Sequence, residues 1–515
     1  MHTAESGSDR MGRAADAYTE LIRCERETAL LGSCGSLLSW DHQTYMPPKG
    51  AAHRAGQLGL LAALVHRQAT APRIGELLAA VEGSELVADP VSEAAVSARE
   101  IRRDYDRAVR LPEGLVRELA ETTALAHDVW ARAREAADFA LFRPWLEKIV
   151  GLKRQQADAL GYAALRYDAL LEEYEPGETT ARLLPLFAEL KAALVPLVRA
   201  IGESGRAPDS SLLARDYPVE AQAAFGMAAA TAIGFDFEAG RLDVTRHPFC
   251  CGIGPGDVRL TTRYNPRDFA DAFFSIVHEA GHGLYDQGLD PAAFGTPLGS
   301  AVSLGIHESQ SRLWENLVAR SRPFWDYAFP RLQAAFPQAL AGVSPTDFHR
   351  AVNHVRPSFI RVDADEVTYN LHILLRFELE RALLAGELAV ADLPAAWNEE
   401  FARLFGLTPP DDARGCLQDV HWSGGDFGYF PTYALGNLYA AQFFAQARAE
   451  LGDLDGMFRR GEFLPLRDWL AAKIYRQGRR FRAQELVVAV TGRPLAAAPL
   501  LTHLRGKYGE LYRLA

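Results

Sequence analysis

The segment His278-Glu279-Ala280-Gly281-His282 places two imidazoles four positions apart with a carboxylate between them. On a helix, residues four apart share a face, so both rings can bind one ion. Glu279, one position after the first histidine, can reach a water held at an open metal position without being a ligand itself. This is the H-E-x-x-H arrangement of metalloproteases, in which the glutamate is the general base. A catalytic zinc commonly takes a third protein ligand, and Glu308, in the run from Leu304 to Asn316, is the best candidate. His307, Glu308, Ser309 and Gln310 cannot all face an apolar core, so this polar cluster needs water or a metal. Glu315 is a weaker alternative ligand.

These residues need rigid elements to hold them. Asn265-Pro266-Arg267-Asp268 offers an N-cap and a proline at the first helical position, and Gly288 a C-terminal stop. The helix predicted between them carries Phe269, Ala272, Phe273, Ile276, Val277 and Ala280 as one apolar stripe, with the two histidines beside it. Upstream, Gly240 to Tyr264 mixes Leu242, Val244, Phe249, Val258 and Leu260 with glycine, proline and threonine, which predicts a small hairpin or sheet. From Ala14 to about Phe237 the texture is one of successive amphipathic helices with Pro/Gly punctuation, and Leu111-Pro112-Glu113-Gly114 reads as a helix start. Gly/Pro/Ser-rich loops are expected at 288–305 and 408–428. The expected organisation is a polar tail at 1–13 and a single helical unit at 14–515, with an N-terminal half at 14–239 and a catalytic half at 240–515.

Composition excludes several classes. The 515 residues are 48% hydrophobic and 23% charged, with a net charge of -11 and no basic block, so nucleic acid is not an expected partner. The five cysteines form neither a CxxC pair nor an even framework, which points to a reducing compartment. No apolar stretch has the length of a membrane span, and residues 1–13 lack a signal-peptide core, so a cytoplasmic location is expected.

His278-Glu-Ala-Gly-His282 followed by His307-Glu-Ser-Gln310 resembles the Taq-type thermostable metallocarboxypeptidases. The resemblance extends, in the family's order, through His247-Pro-Phe249, Asp257-Val-Arg-Leu-Thr261, Ile360-Arg-Val-Asp-Ala-Asp365 and Gly415-Cys-Leu-Gln-Asp-Val-His-Trp422. In the N-terminal half, Trp40 to Pro48 and Tyr167 to Leu171 match as well. The resemblance implies a mainly α, gluzincin-type fold with a deep groove and a small sheet near the active site. It further implies a zinc or cobalt ion at the groove floor, homodimers, and removal of C-terminal amino acids from peptides with broad specificity.

With that chemistry in view, further residues acquire roles. An exopeptidase must recognise a free α-carboxylate, which a planar guanidinium binds bidentately, and Arg361 is the candidate; an intramolecular ion pair is its alternative. The oxyanion of the reaction needs fixed donors, for which His421 and Tyr433, with Tyr429 as a second tyrosine, are the candidates. His247 and Arg259 are possible groove-lining substrate contacts, although a histidine beside Pro and Phe is more often buried and structural. Gln418 and Asp419 are candidates to orient His421, and His372 and Arg376 read as structural. An internal-cleaving oligopeptidase and a noncatalytic peptide-binding protein on the same fold are the competing functions.

Overall fold

The computed structural model describes residues 7–514. Among the described residues nine α-helices precede the sheet: α1 (Gly7–Gln43), α2 (Ala51–Ala69), α3 (Pro72–Glu82), α4 (Glu93–Arg110), α5 (Glu113–Ala136), α6 (Phe139–Leu160), α7 (Arg166–Tyr174), α8 (Thr180–Glu203) and α9 (Val219–Ala232). The sheet consists of β1 (Gly240–Val244), β2 (Cys250–Gly254) and β3 (Asp257–Thr262). It is followed by α10 (Phe269–Gly288), α11 (Leu304–Arg312), α12 (Arg322–Ala335), α13 (Pro345–Ala351), α14 (Tyr369–Ala385) and α15 (Leu393–Phe405). The chain ends with α16 (His421–Gly424), α17 (Pro431–Leu451), α18 (Leu454–Arg459), α19 (Leu464–Lys473), α20 (Ala483–Thr491) and α21 (Ala498–Tyr512). The mainly helical architecture with one small sheet is the expected one.

The expected tail at 1–13 is shorter in its described part. Residues 7–13 already belong to α1, and residues 1–6 lie outside the described residues. A polar composition does not prevent helix formation where the following turns dock their apolar side, here Ala17 and Leu21 against Ile74, Leu77 and Leu78 of α3. The main core is a single cluster containing Phe142, Leu146 and Leu190 from before the sheet and Phe273, Trp325 and Leu438 from after it.

The sheet is more than a hairpin. β2 and β3 pair antiparallel, and β1 adds to the other side of β3 in parallel, giving the order β1-β3-β2. Its two faces have different partners, because alternate residues point to opposite sides. Leu260 meets α10 close to Gly283, and Gly252 lies against Asp286 of α10. On the other face, Arg259 stacks on Trp40 of α1 with its guanidinium 4.1 Å from the ring centroid.

α10 begins later than the sequence suggested. Its N-cap is Asp268, which accepts a hydrogen bond from the Asp271 backbone N–H at 3.2 Å, so neither Asn265 nor Pro266 holds the expected place. Asn265 instead caps the preceding turn through the Arg267 N–H. Gly288 is the last helical residue rather than the residue after it. The apolar stripe is buried as expected, and Phe269 and Phe273 stack at 5.2 Å inside an aromatic cluster that includes Trp325 and Phe348. Buried rings of this size each contribute on the order of 2–3 kcal/mol, which makes α10 a firm base for its histidines.

Candidate metal centre and active site

α11 crosses α10 at unusually short range because two glycines permit it. A Cβ on Gly281 would stand 2.6 Å from Ser311 Cα and 2.7 Å from the Gln310 carbonyl oxygen, far inside normal contact. A Cβ on Gly436 of α17 would meet Glu308 Cγ at 2.5 Å. α11 therefore packs close against the backbones of both α10 and α17, with Glu308 beside the histidines of α10.

Glu308 Oε2 lies 3.3 Å from His282 Nε2 and 3.7 Å from His278 Nε2. These three residues form a cluster able to hold a metal ion. The donor set fits: ligand atoms 2.0–2.1 Å from a tetrahedral ion stand about 3.4 Å apart, close to the spacing found here. The other Glu308 oxygen accepts from Arg312 Nε at 2.7 Å, and Ser311 Oγ donates to Oε2 at 3.1 Å. Burial pushes the Glu308 carboxyl up, but Arg312, His278 and His282 outweigh it and hold it well below the usual range. Burial takes the His282 imidazole down to about 4, leaving it neutral with a lone pair to offer.

Glu315 is not one of the clustered donors. α11 continues into a π-helical segment, Leu313–Ala319, and from it Glu315 Oε2 lies 2.9 Å from His278 Nδ1. It also accepts from Arg312 and Arg320. A carboxylate on Nδ1 keeps the hydrogen there and turns the Nε2 lone pair toward the ligand cluster. Burial raises the Glu315 carboxyl, but the His278 hydrogen bond and Arg312 bring it to about 2. The residue read as a spare ligand thus pairs with one of the clustered histidines instead.

Glu279 is buried and makes no side-chain hydrogen bond among the described residues. Burial lifts its carboxyl to about 7, with Glu308 and Glu315 adding to the rise and His278 opposing it.

A second polar group lies within electrostatic reach of Glu308. His421 Nε2 lies 3.3 Å from the Tyr433 hydroxyl, and Tyr429 packs against both at ring separations of 5.4 and 5.3 Å. Burial lowers the His421 imidazole to about 4, so it is neutral near pH 7. Burial raises both tyrosines, Tyr429 to about 12, so each keeps its O–H as a donor. Asp419 stands 4.0 Å from His421 Nδ1, beyond hydrogen-bond length, and is taken by arginines instead.

Arg361 is in the ion pair that was its alternative reading. Its Nε and Nη2 reach Asp419 Oδ1 at 2.9 and 2.8 Å, and Nη1 donates to the Tyr369 hydroxyl at 3.0 Å. Arg376 takes the other Asp419 oxygen at 2.6 Å and donates to Gln418, whose side chain also bridges to Phe359 and Gly415. Tyr369 connects this group to the cluster, because Arg312, which donates to Glu308, lies 4.2 Å over its ring.

Two expected substrate contacts have these surroundings. Arg259 is bonded twice to Asp257 and stacked on Trp40, on the sheet face opposite to α10. His247 is exposed in the loop between β1 and β2, not buried as a histidine beside Pro and Phe usually is. That loop is pinned by Thr261, which accepts from the Phe249 N–H at 2.8 Å. The sequence reading passed over Asp286 and Arg312. Each lies four residues after a member of the cluster, Asp286 after His282 and Arg312 after Glu308, and that spacing was the available signal.

The family model of the carboxypeptidase Taq (M32) metallopeptidases matches residues 20–508. The chain is 53% identical over 506 residues to thermostable carboxypeptidase 1 of Thermus thermophilus, covering 96% of this chain and 99% of that one. It is 40% identical to carboxypeptidase 1 of Bacillus subtilis, covering 93% of this chain and 95% of that one. The crystal structure of the M32 carboxypeptidase from Deinococcus radiodurans superposes with a TM-score of 0.94 at 45% identity, over 97% of this chain and all of the other. With this match across nearly its whole length and a cluster of three residues able to hold a metal ion beside a buried glutamate, the chain belongs to the M32 metallopeptidases and is a metal-dependent carboxypeptidase.

Proposed function

We propose that the chain is a zinc carboxypeptidase in which His278, His282 and Glu308 hold the ion and Glu279 is the general base. The convergence of two Nε2 atoms and one carboxylate oxygen, beside a buried glutamate whose side chain makes no hydrogen bond among the described residues, carries the reading. Cobalt suits the same donors. A bound ion supplies Lewis acidity to the scissile carbonyl and acidifies the attacking water. Glu279 takes a proton from that water as its oxygen bonds to the carbonyl carbon, then passes it to the amide nitrogen as the C–N bond breaks. Tyr433, supported by His421, donates to the oxygen on which charge develops, and Tyr429 stands beside it as a second donor.

The proposed recognition of the terminal carboxylate uses the Arg361 N–H groups that Asp419 and Tyr369 leave free. His247 and Arg259 are given no contact with the reacting atoms. Substrates are peptides with a free C-terminus and broad terminal preference. A homodimer is also proposed: α2 has no buried residue in the single chain, and Leu30, Leu37 and Leu60 are exposed along α1 and α2. Sedimentation at the mass of one chain would remove it. The cytoplasm is the proposed location, on the strength of five cysteines that all stand as thiols, and cell fractionation tests it.

The decisive experiment follows products of a free-ended peptide and its C-terminally amidated twin by mass spectrometry, with and without chelator. Stepwise C-terminal shortening of the free peptide alone, lost on chelation, is expected. Equal cleavage of the amidated peptide removes carboxylate recognition, and shortening that survives chelation removes the metal. In the same assay Glu279→Gln should retain the ion and lose about 10²–10⁴ in turnover.

A further inference from the structure

We infer that His307 is a positioning residue that fixes the tautomer of His282, and that Asp286 fixes His307 in turn; the inference rests on His282 being a metal ligand. His278, His282 and Asp286 follow one another at intervals of four on the same face of α10. His307, which immediately precedes Glu308 on α11, lies across the last two. Its Nδ1 is 2.6 Å from His282 Nδ1 and its Nε2 is 3.0 Å from Asp286 Oδ1. The ring is held between His282 at 4.7 Å and Tyr285 at 5.1 Å.

Two nitrogens at that separation share one hydrogen, so one of them donates and the other accepts. Asp286, as a carboxylate, only accepts, and it therefore keeps a hydrogen on His307 Nε2. A neutral His307 then has a lone pair on Nδ1 and must accept from His282 Nδ1. With its hydrogen on Nδ1, His282 has the Nε2 lone pair free, on the side where Glu308 Oε2 lies 3.3 Å away. The opposite assignment puts the hydrogen on His282 Nε2 and disables it as a ligand. Only one arrangement of hydrogens satisfies Asp286, His307 and a metal together.

The two ligand histidines are thus oriented by different chemistry. His278 gives its Nδ1 hydrogen to an anion, Glu315, whereas His282 gives it to a neutral ring. The acceptor at His307 also explains why a third histidine stands so close to the ligands without joining them. Both of its nitrogens are already in use.

The test measures zinc affinity of the apo-protein by competition with a chromophoric chelator, for His307→Asn, His307→Leu and Glu308→Ala. Asparagine places an amide oxygen near the Nδ1 position and should stay within a few-fold of wild type. Leucine fills the space but cannot accept, and should weaken affinity by ~10–100-fold, the range for lost outer partners of metal ligands. A packing role predicts the reverse order, because leucine fits against Tyr285 better than asparagine does. Wild-type affinity in His307→Leu, or an asparagine variant no better than leucine, overturns the inference. Glu308→Ala separates the underlying reading: wild-type affinity there removes the proposed metal site itself. Should His307→Leu fail to fold, Asp286→Ala carries the test. It frees His307 Nε2 from its acceptor and should weaken affinity by a few-fold, and unchanged affinity overturns the assignment.

Discussion

Glu175 lies in the interior with three neutral donors, the hydroxyls of Ser303 and Tyr439 and the backbone N–H of Gly305. It ties the chain after α7 to the first turn of α11 and to α17, so a carboxylate sits at the helix end that carries Glu308. Burial raises its carboxyl from 4.5 to about 7 despite those hydrogen bonds. A raised folded value means that the native state binds the proton more tightly than the unfolded chain. Its contribution to stability is fully present below pH 4.5 and is lost as pH rises to about 7. The span corresponds to ~3 kcal/mol. Glu175→Gln, which can still accept from Gly305 and pair with hydroxyls able to reverse, should therefore melt progressively higher than wild type as pH increases across that window. A pH-independent difference between their thermal midpoints would sink this account. Nothing in the sequence around Glu175 marked it, because one of four glutamates between positions 172 and 178, beside Pro176 and Gly177, looks like surface punctuation. Its partners come from residues more than a hundred positions away. His278, Glu279, His282 and Glu308, by contrast, were legible because spacing and ligand chemistry are local properties.

At the scale of elements, the position of α11 is set by contact with α10 and α17 rather than by its own sequence. Gly281→Ala would force Ser311 and Gln310 away from α10 and carry Glu308 with them. Overpacking of this kind costs ~1–3 kcal/mol, and displacement of the ligand should weaken metal binding beyond what the stability loss explains. Gly151→Ala in α6, where an added Cβ meets nothing within 4 Å, is the control and should be neutral or stabilising. Zinc affinity and thermal midpoint measured together decide the matter: a Gly281→Ala protein that binds zinc normally would refute the close-approach argument. Helix periodicity identified α10 and its apolar stripe, but not its start. The proline at 266 signalled a first turn where the chain still makes a capped turn that ends at Asp268. The third strand was equally hidden, since parallel pairing of β1 with β3 leaves no turn signal between them.

Over the whole molecule, the main core runs through both halves of the chain, and its last helix is fastened far from its own neighbours in sequence. His503, Lys507 and Tyr508 of α21 converge on buried Glu366, just beyond the loop that supplies Arg361. None of these attachments passes through the ligand cluster. The glycine-bounded seat of α11 then has a consequence for how the ion is exchanged. A helix held this closely against two others does not wait for a cation to pull it into place, so the chain presents a finished socket. Small zinc domains unfold when stripped because the ion is their core. Here chelation should remove activity and leave the helical circular dichroism intact, with the thermal midpoint falling only by the mass-action term for lost ligand. Activity should return on adding back zinc or cobalt without a refolding step. Loss of the helical signal in chelator would show that the ion is part of the scaffold after all. If the signal stays, the metal is a replaceable part, and one protein preparation can be compared across ions with its framework held constant.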